Sequence, residues 1–74
     1  MTIKEQLVEI IKNQRISKGL TQSALAKRLG VSRNYISEVE KGTGSLSMKK
    51  VDEILLVLET KIEIKAVPFE ILEK

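Results

Sequence analysis

The tightest constraint on this chain is the spacing of Thr21, Gly30, Ser32 and Gly42. Thr and Ser are favoured at helix N-caps, where the hydroxyl accepts an otherwise unpaired N–H of the first turn. Gly is favoured at a helix end, because it enters left-handed geometry without a Cβ penalty. The spacing predicts a helix of about eight residues between Thr21 and Gly30, and a second from Ser32 to near Gly42. A turn of about three residues around Gly30 joins them. Helices joined so tightly cross closely, so a small side chain must stand at the crossing. The second helix must bury one face and leave the other open. Leu25, Leu29, Val31, Ile36 and Val39 supply the inward positions, and Ala26 is the small residue.

Two more helices flank this pair. Thr2 and Glu5 have capping-box spacing, and Ile3, Leu7, Ile10 and Ile11 recur at helical intervals up to about Ser17. Gly19 is the stop. Residues 42–46 read as a loop. Ser47 caps a last helix with Met48, Val51, Ile54, Leu55 and Leu58 inward, ending near Glu59. Nothing divides residues 2–59 into separate domains, and no internal repeat is present.

The period then changes. Lys61, Ile62, Glu63, Ile64, Lys65 and Ala66 alternate polar and apolar, the mark of a half-buried strand. Pro68 ends it, and a short tail follows through Phe69, Ile71 and Leu72. A lone strand leaves its backbone groups unpaired. A hairpin through Val67 and Pro68 lacks the Asn-Gly or Asp-Gly chemistry of tight turns. The simplest partner is the same strand of a second copy, paired antiparallel about a two-fold axis, with Ile62 and Ile64 covering the ends of the last helix. The expected architecture is a mostly α bundle of four or five helices over 1–59, a dimerising β-strand over 60–67 and a tail over 68–74.

Size supports a dimer. At 74 residues the core supplies only roughly 3–5 kcal/mol, and chains this short usually need a staple. With no Cys there is no disulfide, and with no Cys or His the commonest metal ligands are missing. That leaves oligomerisation. Ser-His and Cys-His catalysis is excluded on the same ground, and the carboxylates are spaced as on helix surfaces. The expectation is a non-enzyme without cofactor or metal. The longest apolar run, Ile54–Leu58, has five residues, too few for a signal peptide core or a membrane span, so a cytoplasmic location is expected.

Charge points to a polyanion. The net charge is +3, and residues 1–58 carry ten Lys or Arg against six Asp or Glu. At about 100° per residue, Arg33, Ser37, Lys41, Asn34 and Glu38 share one side of their helix, while Val39 and Ile36 lie opposite. Arg33 and Asn34 stand at the N-terminal end, which meets base edges when a helix enters the major groove. Arg suits guanine and Asn suits adenine. Ser37 and Glu38 complete the face, Glu38 with the weaker claim. Ser32 at the start of the second helix, Lys41 at its end and Thr43 just beyond are the candidates for phosphate contact, and Thr21 and Gln22 at the start of the first are further candidates for the DNA-binding surface. Tyr35 lies between the faces and is expected to pack.

The stretch GLTQSALAKRLGVSRNYISEVEKG resembles the lambda-repressor-like, Cro/C1 (XRE) helix-turn-helix family, over roughly residues 5–58. The resemblance implies a helical bundle with the second motif helix in the major groove, and a phosphate or supporting role for Gln22. It also implies an Arg15–Glu40 salt bridge tying the first helix to the third. Leu46 stands where the family usually has Pro, and Ser23 and Ala24 where it often has Glu. Within the family, the continuation into LVLETKIEI is similar to HipB-type antitoxins, which implies a homodimeric, autoregulating repressor partnered by a HipA-type kinase toxin. The alternatives are a controller protein of a restriction-modification system, a phage-type repressor, or a protein-interaction adaptor that does not bind DNA.

Overall fold

The computed structural model describes residues 1–68. It places four α-helices in that span: α1 (Ile3–Ser17), α2 (Gln22–Leu29), α3 (Arg33–Lys41) and α4 (Met48–Val57). Each begins on the cap its sequence supplies. The hydroxyls of Thr2, Thr21, Ser32 and Ser47 accept the N–H of the residue three positions on, at 3.0–3.1 Å. Only α1 completes the reciprocal box, where the Thr2 N–H donates to Glu5 Oε1 at 2.8 Å. That backbone N–H, with the Thr2 hydroxyl, holds the Glu5 carboxyl below the usual carboxylate range. The cap therefore contributes stability above that range, which is lost as pH falls through the folded pKa.

All four helices end alike. A backbone N–H reaches the carbonyl five residues back, in Leu20 to Arg15, Val31 to Ala26, Thr43 to Glu38 and Thr60 to Leu55, at 2.9–3.1 Å. In the first three the left-handed position is glycine: Gly19, Gly30 and Gly42. In α4 it is Glu59, at φ 51°. A side chain there costs about 1–2 kcal/mol, partly recovered because glycine is more flexible when unfolded. Glu59→Gly is expected to raise stability by about 0.5–1 kcal/mol in urea denaturation. A loss of stability would rule out this account of the turn.

The core lies where the helices converge. α3 packs on α2 and α1, and α4 packs on the same two helices. Ile11, Leu25, Ala26, Ile36, Ile54 and Leu58 form its centre, and Val8, Val39 and Val51 are also buried. Each large side chain among them contributes roughly 1.5–3 kcal/mol by leaving water. Leu29, Val31 and Tyr35 pack against this centre at partial exposure, as their pattern predicts. Ala26 is 3% exposed at the motif's crossing, where a larger residue would push the helices apart.

The bundle has four helices among the described residues, within the four or five expected. Several expectations need correction. α1 turns Val8 and Ile11 to the core, while Ile3 is exposed and Leu7 and Ile10 are half-buried. Met48 faces outward at 66% exposure, because Val51, Ile54 and Leu58 centre the buried face of α4 about a quarter-turn away from it. No strand is present among the described residues. Lys61, Glu63, Ile64, Lys65 and Ala66 are exposed, and Ile62 is half-buried. A strand exists only as a paired element, and the segment meets no extended partner within its own described chain. The tail lies outside the described residues from Phe69 onward.

What replaces the strand is a groove. Thr60 Oγ1 donates to Gln14 Oε1 at 3.2 Å, anchoring the chain beside α1 as it leaves α4. Ile62 and Ile64 then join Ile3, Leu7, Leu55 and Leu56 in lining an open cavity of about 420 Å³. None of its lining residues belongs to α2 or α3.

Candidate nucleic-acid interface

The reading face is built on α3. Ser32 caps it by accepting the Tyr35 N–H at 3.1 Å, so Arg33 and Asn34 occupy the first turn. Ile36 and Val39 are 1% exposed and seat the helix against the core. The opposite side stays open, with Arg33, Asn34, Glu38 and Lys41 exposed and Ser37 half-buried. The helical wheel drawn from sequence is reproduced. Asn34 Nδ2 donates to Glu38 Oε1 at 3.3 Å, one turn along. This long, exposed contact turns the Asn34 amide nitrogen toward the C-terminal end and leaves its oxygen free to accept.

The loop after α3 hangs from the Glu38 backbone. Its carbonyl accepts the N–H of Thr43 at 3.1 Å and of Gly44 at 3.3 Å, with Thr43 Oγ1 at 3.4 Å. Lys4 Nζ reaches the Gly44 carbonyl at 3.2 Å. A Cβ at Gly44 would stand 3.2 Å from Glu38 Cβ, a tight contact that glycine avoids. Thr43 is exposed in that loop, directly after Lys41 and the Gly42 turn.

The second set sits at the start of α2. Thr21 is an exposed cap whose hydroxyl accepts the Ala24 N–H at 3.0 Å. Gln22 follows as the first helical residue and is half-buried. Its Nε2 donates to Glu40 Oε1 at 3.1 Å. Glu40 also takes Arg15 Nε at 2.6 Å and Nη2 at 3.0 Å, the salt bridge that the family resemblance implies. Arg15 Nη1 donates to the Leu20 carbonyl at 2.7 Å, so the guanidinium grips the turn that leaves α1 as well as α3. The Gln22–Glu40 link was not legible from spacing, because it spans 18 residues and two elements.

Thr21, Gln22, Ser32, Arg33, Asn34, Ser37, Glu38, Lys41 and Thr43 thus fall on the two motif helices and the loop that follows them. The residues Lys61–Ala66 form no part of this group.

Comparison with known proteins agrees with the geometry. The helix-turn-helix family matches residues 11–65. The ImmF control region 10 kDa protein of Bacillus phage phi105 is 33% identical over 60 residues, spanning 81% of this chain and 67% of that one. The solved structure of the wild-type restriction-modification controller protein C.Esp1396I has 31% identity and a TM-score of 0.73, over 82% of each chain. A tyrosine-to-phenylalanine mutant of the same controller has 30% identity and a TM-score of 0.75, over 82% of this chain and 77% of that one. The motif's two helices, their caps and the open face of α3 all lie inside the matched span: the chain belongs to the helix-turn-helix family, as an XRE-type DNA-binding regulator.

Proposed function

We propose that this protein is a transcriptional regulator that binds a pseudo-palindromic operator as a homodimer, and acts by occupying DNA without catalysis. The observation that carries the reading is α3: a helix seated by Ile36 and Val39 with an exposed polar face led by Arg33 and Asn34. Selection from a random duplex library tests it. Enrichment of a two-fold symmetric site with half-sites about 34 Å apart is expected. Failure to enrich any sequence would favour the adaptor reading.

Its relatives support a control protein of the restriction-modification or phage kind better than an antitoxin. The HipA-type kinase partner draws no support from them.

The homodimer is supported by the apolar groove. Ile3, Met48, Leu56 and Ile64 are each 66–85% exposed. They gather on the α1–α4 side, with Ile62, and so leave the reading helix unobstructed. A second copy seated there would remove them from water. Leu56→Lys is expected to give a folded monomer in sedimentation equilibrium, because a charge would be buried without a partner. An unchanged dimer would move the contact elsewhere.

Phosphate contact is assigned to Lys41. Lys41→Ala is expected to weaken binding to all duplexes alike and to lower the salt slope by about one per protomer. Anisotropy titrations at several salt concentrations check this, and a sequence-dependent loss would place Lys41 among the base readers.

A further inference from the structure

Glu38 is the one exposed carboxylate on the two motif helices among the described residues. α2 carries no acidic residue, and the Glu40 side chain on α3 is 3% exposed and paired with Arg15. A carboxylate on a face that meets a polyanion weakens binding unless a donor meets it. No cation does so among the described residues, where the ion pairs are Arg15–Glu40 and Lys50–Glu53. The side chain's one hydrogen bond there comes from Asn34 Nδ2, at 3.3 Å. An ionised carboxylate accepts and cannot donate, so the nitrogen end of the Asn34 amide faces it. What this exposed pair keeps open is mostly acceptor: the Asn34 oxygen and the second Glu38 oxygen, with one N–H left over.

The major-groove edges of the bases divide on the same chemistry. Adenine and cytosine present an amino group there, and guanine and thymine a carbonyl oxygen. Every base pair holds one of each, so an acceptor pair distinguishes which strand carries the amino base. We propose that Asn34 and Glu38 act as one reading unit that accepts an amino-bearing base, adenine or cytosine, and that Glu38 is the residue that rejects guanine and thymine. The proposal rests on the DNA-binding reading above and deepens it. Rejection comes from placing a carboxylate against a carbonyl oxygen, two acceptors with no hydrogen between them. The acidic residue thus lowers overall affinity and raises discrimination.

Titration of the full chain tests this, on the duplex enriched from the random library and varied through all four bases at each position. At one position per half-site the native chain is expected to bind adenine and cytosine about ten-fold tighter than guanine and thymine, the effect of one hydrogen bond to a charged group. Glu38→Gln keeps the shape, and its amide donates as well as accepts. It is expected to bind the guanine and thymine duplexes more tightly than the native chain does, so that the preference collapses at that position alone. Loss of a merely structural contact would weaken every duplex alike, and loss of a charge that only repels phosphates would strengthen every duplex alike. Either uniform result overturns the proposal. Asn34→Ala tests the coupling. Its loss of preference and that of Glu38→Gln are expected to combine to less than their product, because each breaks the same unit. Losses that multiply would mean two independent readers and overturn the unit. Both side chains are exposed and the loop after α3 hangs from the Glu38 carbonyl, so each variant is expected to keep the native circular dichroism. A native chain that enriches a duplex without this preference overturns the proposal alone. One that enriches no duplex overturns the DNA-binding reading, and the proposal with it.

Discussion

Ile54→Ala is expected to leave most of the chain unfolded at room temperature. Ile54 is fully buried on α4, in the cluster that holds Ile11, Leu25, Ala26, Ile36 and Leu58. Truncating such a side chain costs about 2–5 kcal/mol, because the cavity closes only in part. A core of this size supplies roughly 3–5 kcal/mol in all. The loss is comparable with the whole. Lys49→Ala, on α4 but exposed and outside the groove, is the control and should be nearly neutral for the fold. Far-ultraviolet circular dichroism against temperature reads both. A native-like midpoint in Ile54→Ala would mean that Ile54 does not carry the stability assigned to it. The proposed self-association would add stability by mass action, so the folded fraction of Ile54→Ala should rise with protein concentration.

Arg33→Ala is expected to cost about 1–3 kcal/mol of operator binding and to relax preference at one base position per half-site. The side chain is exposed in the first turn of α3, and no hydrogen bond or ion pair holds it among the described residues. Its removal therefore leaves the fold alone, and the effect appears in recognition. Gel-shift series on duplexes varied base by base would locate the affected position. An unaltered preference at every position would remove Arg33 from the reading face. Lys41 supplies the contrast, because its loss should be uniform across sequences.

The helix boundaries were readable because they are local. Thr2, Thr21, Ser32 and Ser47 each cap with a hydroxyl and a backbone N–H three residues away, and that chemistry needs no tertiary context. The open face of α3 was readable for a similar reason, since Ile36 and Val39 define its buried side alone. α1 defeated the same method. Ile3, Leu7 and Ile10 form one apolar stripe and Val8 and Ile11 another, and periodicity cannot choose between them. The first stripe borders the groove and the second faces the core. Alternation over Lys61–Ala66 identifies a segment fit for pairing, yet pairing is a property of two segments, and a local pattern speaks for one. The contacts to Glu40 are likewise non-local. The one from Arg15 was visible only through family resemblance, and the one from Gln22 only in three dimensions.

The loop after α3 hangs from the backbone carbonyl of Glu38, while the exposed Glu38 side chain touches only the equally exposed Asn34 amide. A main-chain acceptor survives replacement of the residue that carries it. The outward side chains at 33, 34 and 38 can therefore be exchanged without disturbing the helix, its loop or the core beneath. For a lineage, that separation lets a regulator acquire a new target site through a few substitutions while its stability stays level. For an engineer, it marks three positions at which a library can be diversified on an unaltered scaffold.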